Sequence, residues 1–448
     1  MEKVLRDPIH GYIYIQDPLI LELINSKEFQ RLRRIKQLGT SSYTFHGAEH
    51  TRFGHCLGVY EIARQMCNHF QRNYPCSEYG KDGWDDSERR VTLCAALLHD
   101  IGHGAYSHTF EMLFGTNHEA IGVEMILSEE TEIHQILMKY DESLPEKVAS
   151  VIQKTYANPQ VVQLISSQAD CDRMDYLLRD AYYTGVEYGV YDLTRILRVV
   201  RPYRNGICFN ESGLHAVEDY IISRYQMFMQ VYFHPVSRGM EMVLQRLLER
   251  ARDLFDKNPR YFKQHCELLV PFFEEHYSLD DYLAMTDDVL LTYFQLWTRS
   301  EDDILRDLAQ RFLNRHPFKS IQVSENEDLR HLRVLTSSLK RLGFNNTYYC
   351  GMNTAKDLPY DIYHARRHHP RTQIEMMRRD GTLFELSSQS QMVRALSGEL
   401  QLDRRFYFPR EILYPCDKMK GNKEIEYFNS FIHNATFHYH KDKKEELE

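Results

Sequence analysis

The sequence has no CxxC pair, no apolar run approaching the roughly 20 residues needed to span a bilayer, and no excess of positive charge. Each absence excludes something. Nine cysteines, at 56, 67, 76, 94, 171, 208, 266, 350 and 416, form an odd and scattered set, which argues against a disulfide scaffold or a cysteine zinc cage and fits a reducing compartment. Met1 to His10 is already charged and carries no apolar signal core, so a cytoplasmic location is expected. A formal charge of −9 gives no general attraction to nucleic acid or an anionic membrane. Any phosphate-binding surface must then be a local cluster inside an acidic molecule, which favours a pocket over a groove. No internal repeat is visible, and the only biased segment is the charged tail from His440 to Glu448.

What is present is an ordinary globular composition, 43% hydrophobic and 27% charged, over 448 residues, with an unusual stock of 22 histidines, many of them between His46 and His134. Histidine is the commonest metal ligand and proton shuttle near neutral pH, so its clustering matters more than its number.

Most of the first 320 residues carry helical periodicity. Val59, Ile62, Ala63, Met66, Cys67 and Phe70 follow the i, i+3, i+4, i+7 rule, and a second apolar helix containing Cys94, Leu97, Leu98 and Ile101 ends where Gly102 and Gly104 interrupt it. His99 and Asp100 therefore fall at the end of a buried helix. A third helix is expected from about Pro159 to Tyr183, and a fourth from about Val217 to Phe233, stopped by Pro235. Asn205-Gly206 and Asp380-Gly381 read as hairpin turns. From about Ser320 to His369 the helical pattern weakens. The expectation is a mainly α fold: a helical core over 1–320 with short β-hairpins, then a smaller α+β extension over 321–448, regulatory or oligomer-forming.

The strongest chemical signal is the order His55, then His99-Asp100, then Asp172. Two imidazoles and two carboxylates form a mixed N/O set suited to divalent Mn, Fe, Zn, Ni or, more weakly, Mg. A single His-Asp dipeptide is equally compatible with a buried histidine satisfied by a carboxylate. The run His99-Asp100-Ile101-Gly102-His103-Gly104, however, crowds three polar groups onto the end of an apolar helix, where a purely structural role would leave costly buried polarity.

Together with Asp7-Pro8-Ile9-His10-Gly11, Gln30-Arg31-Leu32-Arg33, Lys36-Gln37-Leu38-Gly39, His50 to His55, His99 to Ser107 and Asp172 to Asp180, this order resembles the HD phosphohydrolase superfamily. Within it, the resemblance is to the deoxynucleoside triphosphate triphosphohydrolases, over roughly residues 3 to 320. It implies an HD-domain helical core and attack of an enzyme-bound water or hydroxide on the α-phosphorus of a dNTP, releasing deoxynucleoside and intact triphosphate. His108 then matches the general acid and Glu111 its partner, and His103, His118 and Glu119 belong to the same catalytic group. Bland readings stand beside these. His108 and Glu111 could be a surface helix pair, and Thr116 to Glu119 fits a capping box.

The resemblance further assigns Arg52, Arg173 and Arg224 to phosphate, Gln37 and Asp180 to the 3′-hydroxyl, Tyr176 and Leu38 to packing against C2′, and Tyr232 to base or sugar. Asp172, Tyr176 and Asp180 are four apart, on one helix face. Members of this branch can be homotetramers activated by GTP or dNTP between subunits. Gln30 and Arg33 match a guanine-reading pair, Lys3 and Val4 part of the same pocket, and Arg195, Arg315 and Lys319 other regulatory basics. Asn25 stands where the animal members carry a carboxylate, and Asn210 and Ser212 fall near positions where basic residues contact a second activator. Asn25 offers guanine one acceptor and a competing donor, which weakens guanine preference. Two other readings compete: an HD-type monophosphatase, cyclic-nucleotide phosphodiesterase or alarmone hydrolase, and a non-enzymatic nucleotide-gated or single-stranded nucleic-acid-binding protein using Arg31, Arg33, Arg34 and Lys36.

Overall fold

The computed structural model describes residues 2–323, 328–357, 360, 373–397, 401–417, 419–433 and 436–437. The charged tail lies outside the described residues.

The chain enters through an antiparallel hairpin, Lys3–Asp7 with Gly11–Ile15, in the register Lys3↔Ile15 to Asp7↔Gly11. Its centre is the Arg52–Asn73 helix, whose predicted apolar face is buried from Val59 to Phe70. The Arg89–Leu98 and Cys171–Thr184 helices pack against it. That last approach is possible because Gly58 has no side chain: a Cβ there would lie 1.8 Å from a carboxylate oxygen of Asp175. The Arg89–Leu98 helix stops at His99, short of the Gly102 expected to end it, so that Asp100 and Ile101 lie in the turn that follows. Gly102 then lets the following turn lie against the His118–Leu127 helix, where a Cβ would come within 2.1 Å of the His118 carbonyl oxygen. The architecture is mainly α, with short hairpins.

Both turn dipeptides form hairpins, Val200–Tyr203 with Gly206–Asn210 and Glu375–Met377 with Leu383–Glu385. The two join in one four-stranded sheet through the parallel pair Phe209↔Met376. A second sheet pairs Lys319–Gln322 and Gly351–Asp357 on either side of Gln401–Phe408.

Four local expectations need correction. The helix expected over 159–183 is two helices, Pro159–Ile165 and Cys171–Thr184. Between them Asp170 turns inward to accept the backbone N–H groups of Ser167 and Arg173, so a capping carboxylate restarts the helix. The helix expected to end before Pro235 runs as α-helix from Leu214 to Met227 and widens into a π-helical turn, Phe228–Tyr232. Pro235 opens the next helix, Pro235–Lys257, at a first-turn position where no N–H is needed. The Thr116–Glu119 capping box does not form; Asn117 caps instead, accepting from the Ala120 N–H at 2.8 Å. Finally, a 14-residue helix, Asp328–Arg341, stands where the pattern looked weak; its Leu332, Leu335 and Leu339, with half-buried Val334, face a small core with Phe406, Phe408 and Phe428.

Candidate metal centre and substrate pocket

Three elements bring the ligand candidates together. His55 comes from the first turn of the Arg52–Asn73 helix, His99 and Asp100 from the end of Arg89–Leu98, and Asp172 from the start of Cys171–Thr184. The Nε2 atoms of His55 and His99 are 3.3 Å apart. A carboxylate oxygen of Asp172 is 3.1 Å from His55 Nε2 and 3.6 Å from His99 Nε2, while Asp100 oxygens lie 3.7 and 3.5 Å from the same two atoms. Ligands about 2.0–2.2 Å from one ion are separated by roughly 3 Å, so the spacings among His55, His99 and Asp100 suit a shared divalent cation, with Asp172 close to the two imidazoles.

The electrostatics fit too. Burial would lower the His55 imidazole, but hydrogen bonds to Asp172 and Asp175 and the charges of Asp175 and Asp100 push it up to about 10. Burial would raise Asp100, yet Arg52, His103 and His99 hold it well below the usual carboxylate range. This buried, acidic cluster favours positive charge, which a bound cation would supply.

A supporting shell fixes the ligands. His55 Nδ1 is 2.8 Å from Asp175, whose other oxygen is 2.6 Å from His10 Nε2. Arg179 donates to both oxygens of Asp175 and reaches Asp7 at 2.9 Å. His99 Nδ1 bonds the Ala96 carbonyl at 2.9 Å. Asp7, His10, Asp175 and Arg179 were not among the sequence-derived site residues. The signal was available: Asp175 and Arg179 follow Asp172 at i+3 and i+7, and Asp7 and His10 sit in a motif already singled out.

Beside the cluster, Glu111 gathers two imidazoles. Its oxygens lie 3.0 Å from His108 Nδ1 and 2.7 Å from His118 Nδ1, and it also accepts the His118 backbone N–H. Burial raises the Glu111 carboxyl, but these bonds hold it well below the usual range. His118 stacks on His103 at 3.9 Å. Burial and then the nearby Arg52 charge lower His103 to about 3, and its buried Nδ1 has no partner among the described residues. Glu119 is not part of this group; it is exposed and pairs with Lys154 at 3.1 Å. Arg52 bridges Asp100 and Ser107 Oγ.

Along Cys171–Thr184 the predicted face is real. The Tyr176 ring is 6.5 Å from His55 and 6.2 Å from Tyr232, and Asp180 accepts the Tyr232 hydroxyl at 2.8 Å. The other Asp180 oxygen is 2.7 Å from His50 Nε2, a partner the sequence reading passed over although it lies in the His50 to His55 motif. Gln37 keeps a buried side-chain oxygen without a partner among the described residues, and its backbone N–H bonds the His50 carbonyl, so Leu38 follows at the same edge. Arg224 is buried with its guanidinium 5.6 Å from the Phe228 ring, and Arg173 pairs with Asp170.

The candidate regulatory residues are more dispersed. Gln30 accepts from Arg33 at 2.8 Å and donates to the Ile24 carbonyl, which sets the pair beside exposed Asn25. Lys3 and Val4 are exposed on the first strand. Arg195 bonds the Ser212 carbonyl, Arg315 the Tyr43 carbonyl, Lys319 lies over the Tyr414 ring and Asn210 bonds the Tyr74 hydroxyl.

The chain matches the HD domain over residues 52–179 and the HD associated region over 191–406. It is 48% identical over 420 residues to the uncharacterized protein YwfO of Bacillus subtilis, covering 94% of each chain. It is 26% identical to the deoxynucleoside triphosphate triphosphohydrolase SAMHD1 of Gallus gallus over 74% of this chain and 58% of that one. A solved phosphohydrolase from Bacteroides thetaiotaomicron superposes with a TM-score of 0.76 at 25% identity, over 91% of this chain and 99% of that one.

Proposed function

This chain belongs to the HD-domain phosphohydrolase family, with its HD associated region, and from that premise we propose that it hydrolyses deoxynucleoside triphosphates to deoxynucleoside and inorganic triphosphate. One observation carries the reading: a single helix presents Asp172 to the metal cluster and, further along the same face, Tyr176 and Asp180 to a polar edge completed by His50, Gln37 and Tyr232. A phosphate held at the first end puts a sugar at the second. The animal and slime-mould relatives named as deoxynucleoside triphosphate triphosphohydrolases support the substrate class.

His55, His99, Asp100 and Asp172 would hold a divalent cation, which supplies Lewis-acid polarisation of a phosphoryl oxygen and activation of water. The chain's own groups do the rest. Glu111 orients His108 through Nδ1, leaving Nε2 to hold a proton for the departing 5′ oxygen. His118, fixed by the same carboxylate and by stacking on His103, offers its Nε2 to a phosphate oxygen. Arg52, Arg173 and Arg224 supply positive charge for the remaining phosphates, with Arg52 exchanging part of its contact with Asp100 for substrate. Asp180 and Gln37 bind the 3′-hydroxyl, and Tyr176 closes on C2′ with Leu38.

Gln30 and Arg33, with Lys3, Val4, Asn25, Arg195, Arg315 and Lys319, would take an activating dNTP or GTP in a homotetramer. The deciding experiment is incubation of manganese-loaded protein with each dNTP and rNTP, alone and in pairs, with products resolved by ³¹P NMR. Triphosphate from dNTPs supports the reading, and stimulation of one dNTP by another supports activation. Orthophosphate or pyrophosphate as the sole product would replace the reading with another HD-type phosphohydrolase.

A further inference from the structure

Asp287 opens the Asp287–Trp297 helix, inside the HD associated region, and is 2% exposed. Its two carboxylate oxygens do different things. One accepts the backbone N–H of Tyr106 at 2.8 Å, the other that of Lys36 at 2.8 Å. Neither donor belongs to the helix that carries the acceptor, so the carboxylate ties together two distant stretches of backbone.

Both stretches lead into the site. Around Lys36, the Gln37 N–H bonds the His50 carbonyl and the Arg52 N–H bonds the Ile35 carbonyl, so this segment runs alongside the one that carries His50 and Arg52. Tyr106 lies in the turn between His99-Asp100 and His108. Tyr106 and Ser107 have φ of 48° and 45°, a left-handed conformation that non-glycine residues adopt only when their surroundings hold them there. Arg52 spans the gap between the two stretches, bonding Asp100 and Ser107 Oγ. The same region reaches the turn twice more: the Tyr282 hydroxyl donates to the Gly102 carbonyl at 2.8 Å, and its ring lies 5.2 Å from Arg31, which donates to the His103 carbonyl at 2.9 Å.

We propose that Asp287 is a positioning residue, setting the spacing between the backbone that carries Gln37 and Arg52 and the strained turn that leads into His108, so that the HD associated region governs turnover in the HD domain. The inference rests on the hydrolase reading above for its effect on rate, though not for its effect on the backbone. Asp287 touches none of the four metal-ligand candidates. Loss of its carboxylate therefore loosens the turn and leaves the cation site in place. An asparagine retains one oxygen acceptor and so one of the two ties, while a serine is too short to keep both.

The test uses full-length Asp287→Asn, Asp287→Ser and Tyr282→Phe, with bound manganese, thermal midpoint, kcat, KM and backbone hydrogen exchange measured on each. Exchange should accelerate in peptides covering Lys36 and Tyr106 for the Asp287 variants, more for serine than for asparagine. Manganese content should match wild type. The kcat should fall about 10- to 100-fold for Asp287→Ser, as expected when a reacting group is displaced by about an ångström, with KM changed far less. Tyr282→Phe removes one hydroxyl and should produce a milder loss of the same kind, so the proposal stays testable if Asp287→Ser does not fold. Unchanged exchange at both amides overturns the proposal, as does altered exchange with wild-type kcat. If the wild type makes no triphosphate, the hydrolase reading falls by itself. The exchange data, with kcat on whichever phosphate ester the wild type turns over, still decide the role of Asp287.

Discussion

Two residues three apart on one helix, Asp172 and Asp175, have different parts in the proposed site: one is a ligand candidate and the other fixes His55. Asp172→Ala removes a ligand candidate, and bound metal and hydrolysis should both collapse while the fold persists. Asp175→Ala leaves all four ligand candidates in place but frees His55 Nδ1 and leaves Arg179 short of a carboxylate. Loss of such a supporting partner typically weakens metal affinity by about 10- to 100-fold, so activity should return at high manganese for Asp175→Ala and not for Asp172→Ala. Metal analysis and manganese titration of both variants check this; unchanged metal in Asp172→Ala would remove it from the ligand set. His108 belongs to a third category. It is largely exposed and bonded only through Nδ1 to Glu111, so His108→Ala should keep its metal and lose kcat by about 10²–10⁴-fold, the usual worth of a general acid. A raised KM with normal kcat would instead make it a substrate-binding residue.

Elements carry the next level of consequence, because on the proposed reading the Cys171–Thr184 helix serves both ends of the substrate. Replacing Tyr176 with Ala should improve kcat/KM for ATP relative to dATP while leaving metal content alone. An apolar wall alone rejects an added hydroxyl by only about 10²-fold, so the ring must be held in place, as its packing beside Tyr232 and the His50–Asp180 pair provides. Equal hydrolysis of ATP and dATP by the wild type would sink this sugar gate. The same helix depends on Gly58. Gly58→Ala places a methyl group against Asp175 and Arg179, and overpacking of this kind costs about 1–3 kcal/mol, which should appear as a lower thermal midpoint together with weaker metal binding. Periodicity made the ligand-bearing helices legible, since His55, His99-Asp100 and the 172, 176, 180 face each follow from local spacing. It could not show that Asp170 breaks a helix, that Asn117 rather than Thr116 caps the next one, or that His10 and His50 face carboxylates 165 and 130 residues away. The two caps are local, but several neighbouring residues could have capped and propensity does not rank them; the histidine pairings are tertiary contacts that a single chain pattern does not encode. The Asp328–Arg341 helix was missed although Leu332, Leu335 and Leu339 stand at i, i+3 and i+7; what local spacing could not show is the core they face, built from Phe406, Phe408 and Phe428.

At the scale of the whole molecule, the tie between the two matched regions also has a thermodynamic signature. Burial pushes the Asp287 carboxyl up to about 6 from an ordinary value of 3.8, outweighing the opposing bonds from Lys36 and Tyr106. The folded state thus keeps its proton over an interval where the unfolded state has lost it. Stability from this group is complete below pH 3.8 and is lost as pH rises through about 6, by at most about 3 kcal/mol. Denaturant titrations of wild type and Asp287→Asn between pH 4 and 7 should show the wild type losing ground to the variant as pH rises. A difference that is flat with pH would mean that Asp287 titrates normally.

The closure of Asp175 by His10 and Arg179 by Asp7 has a consequence in time rather than in space. The Arg179–Asp7 contact joins residues 172 apart and the Asp287–Tyr106 contact residues 181 apart, so neither can exist until long stretches of chain have been made. At about 5–20 residues per second, the ribosome needs on the order of 10 to 30 s to add 172 residues. Within it, from the synthesis of Asp100 until that of Asp172, His55, His99 and Asp100 are present but the carboxylates that fix His55 and complete the candidate ligand set are not. A nascent chain that is stalled before Asp172 should therefore have no high-affinity metal site, and capture of the ion should wait until the Cys171–Thr184 helix has been made.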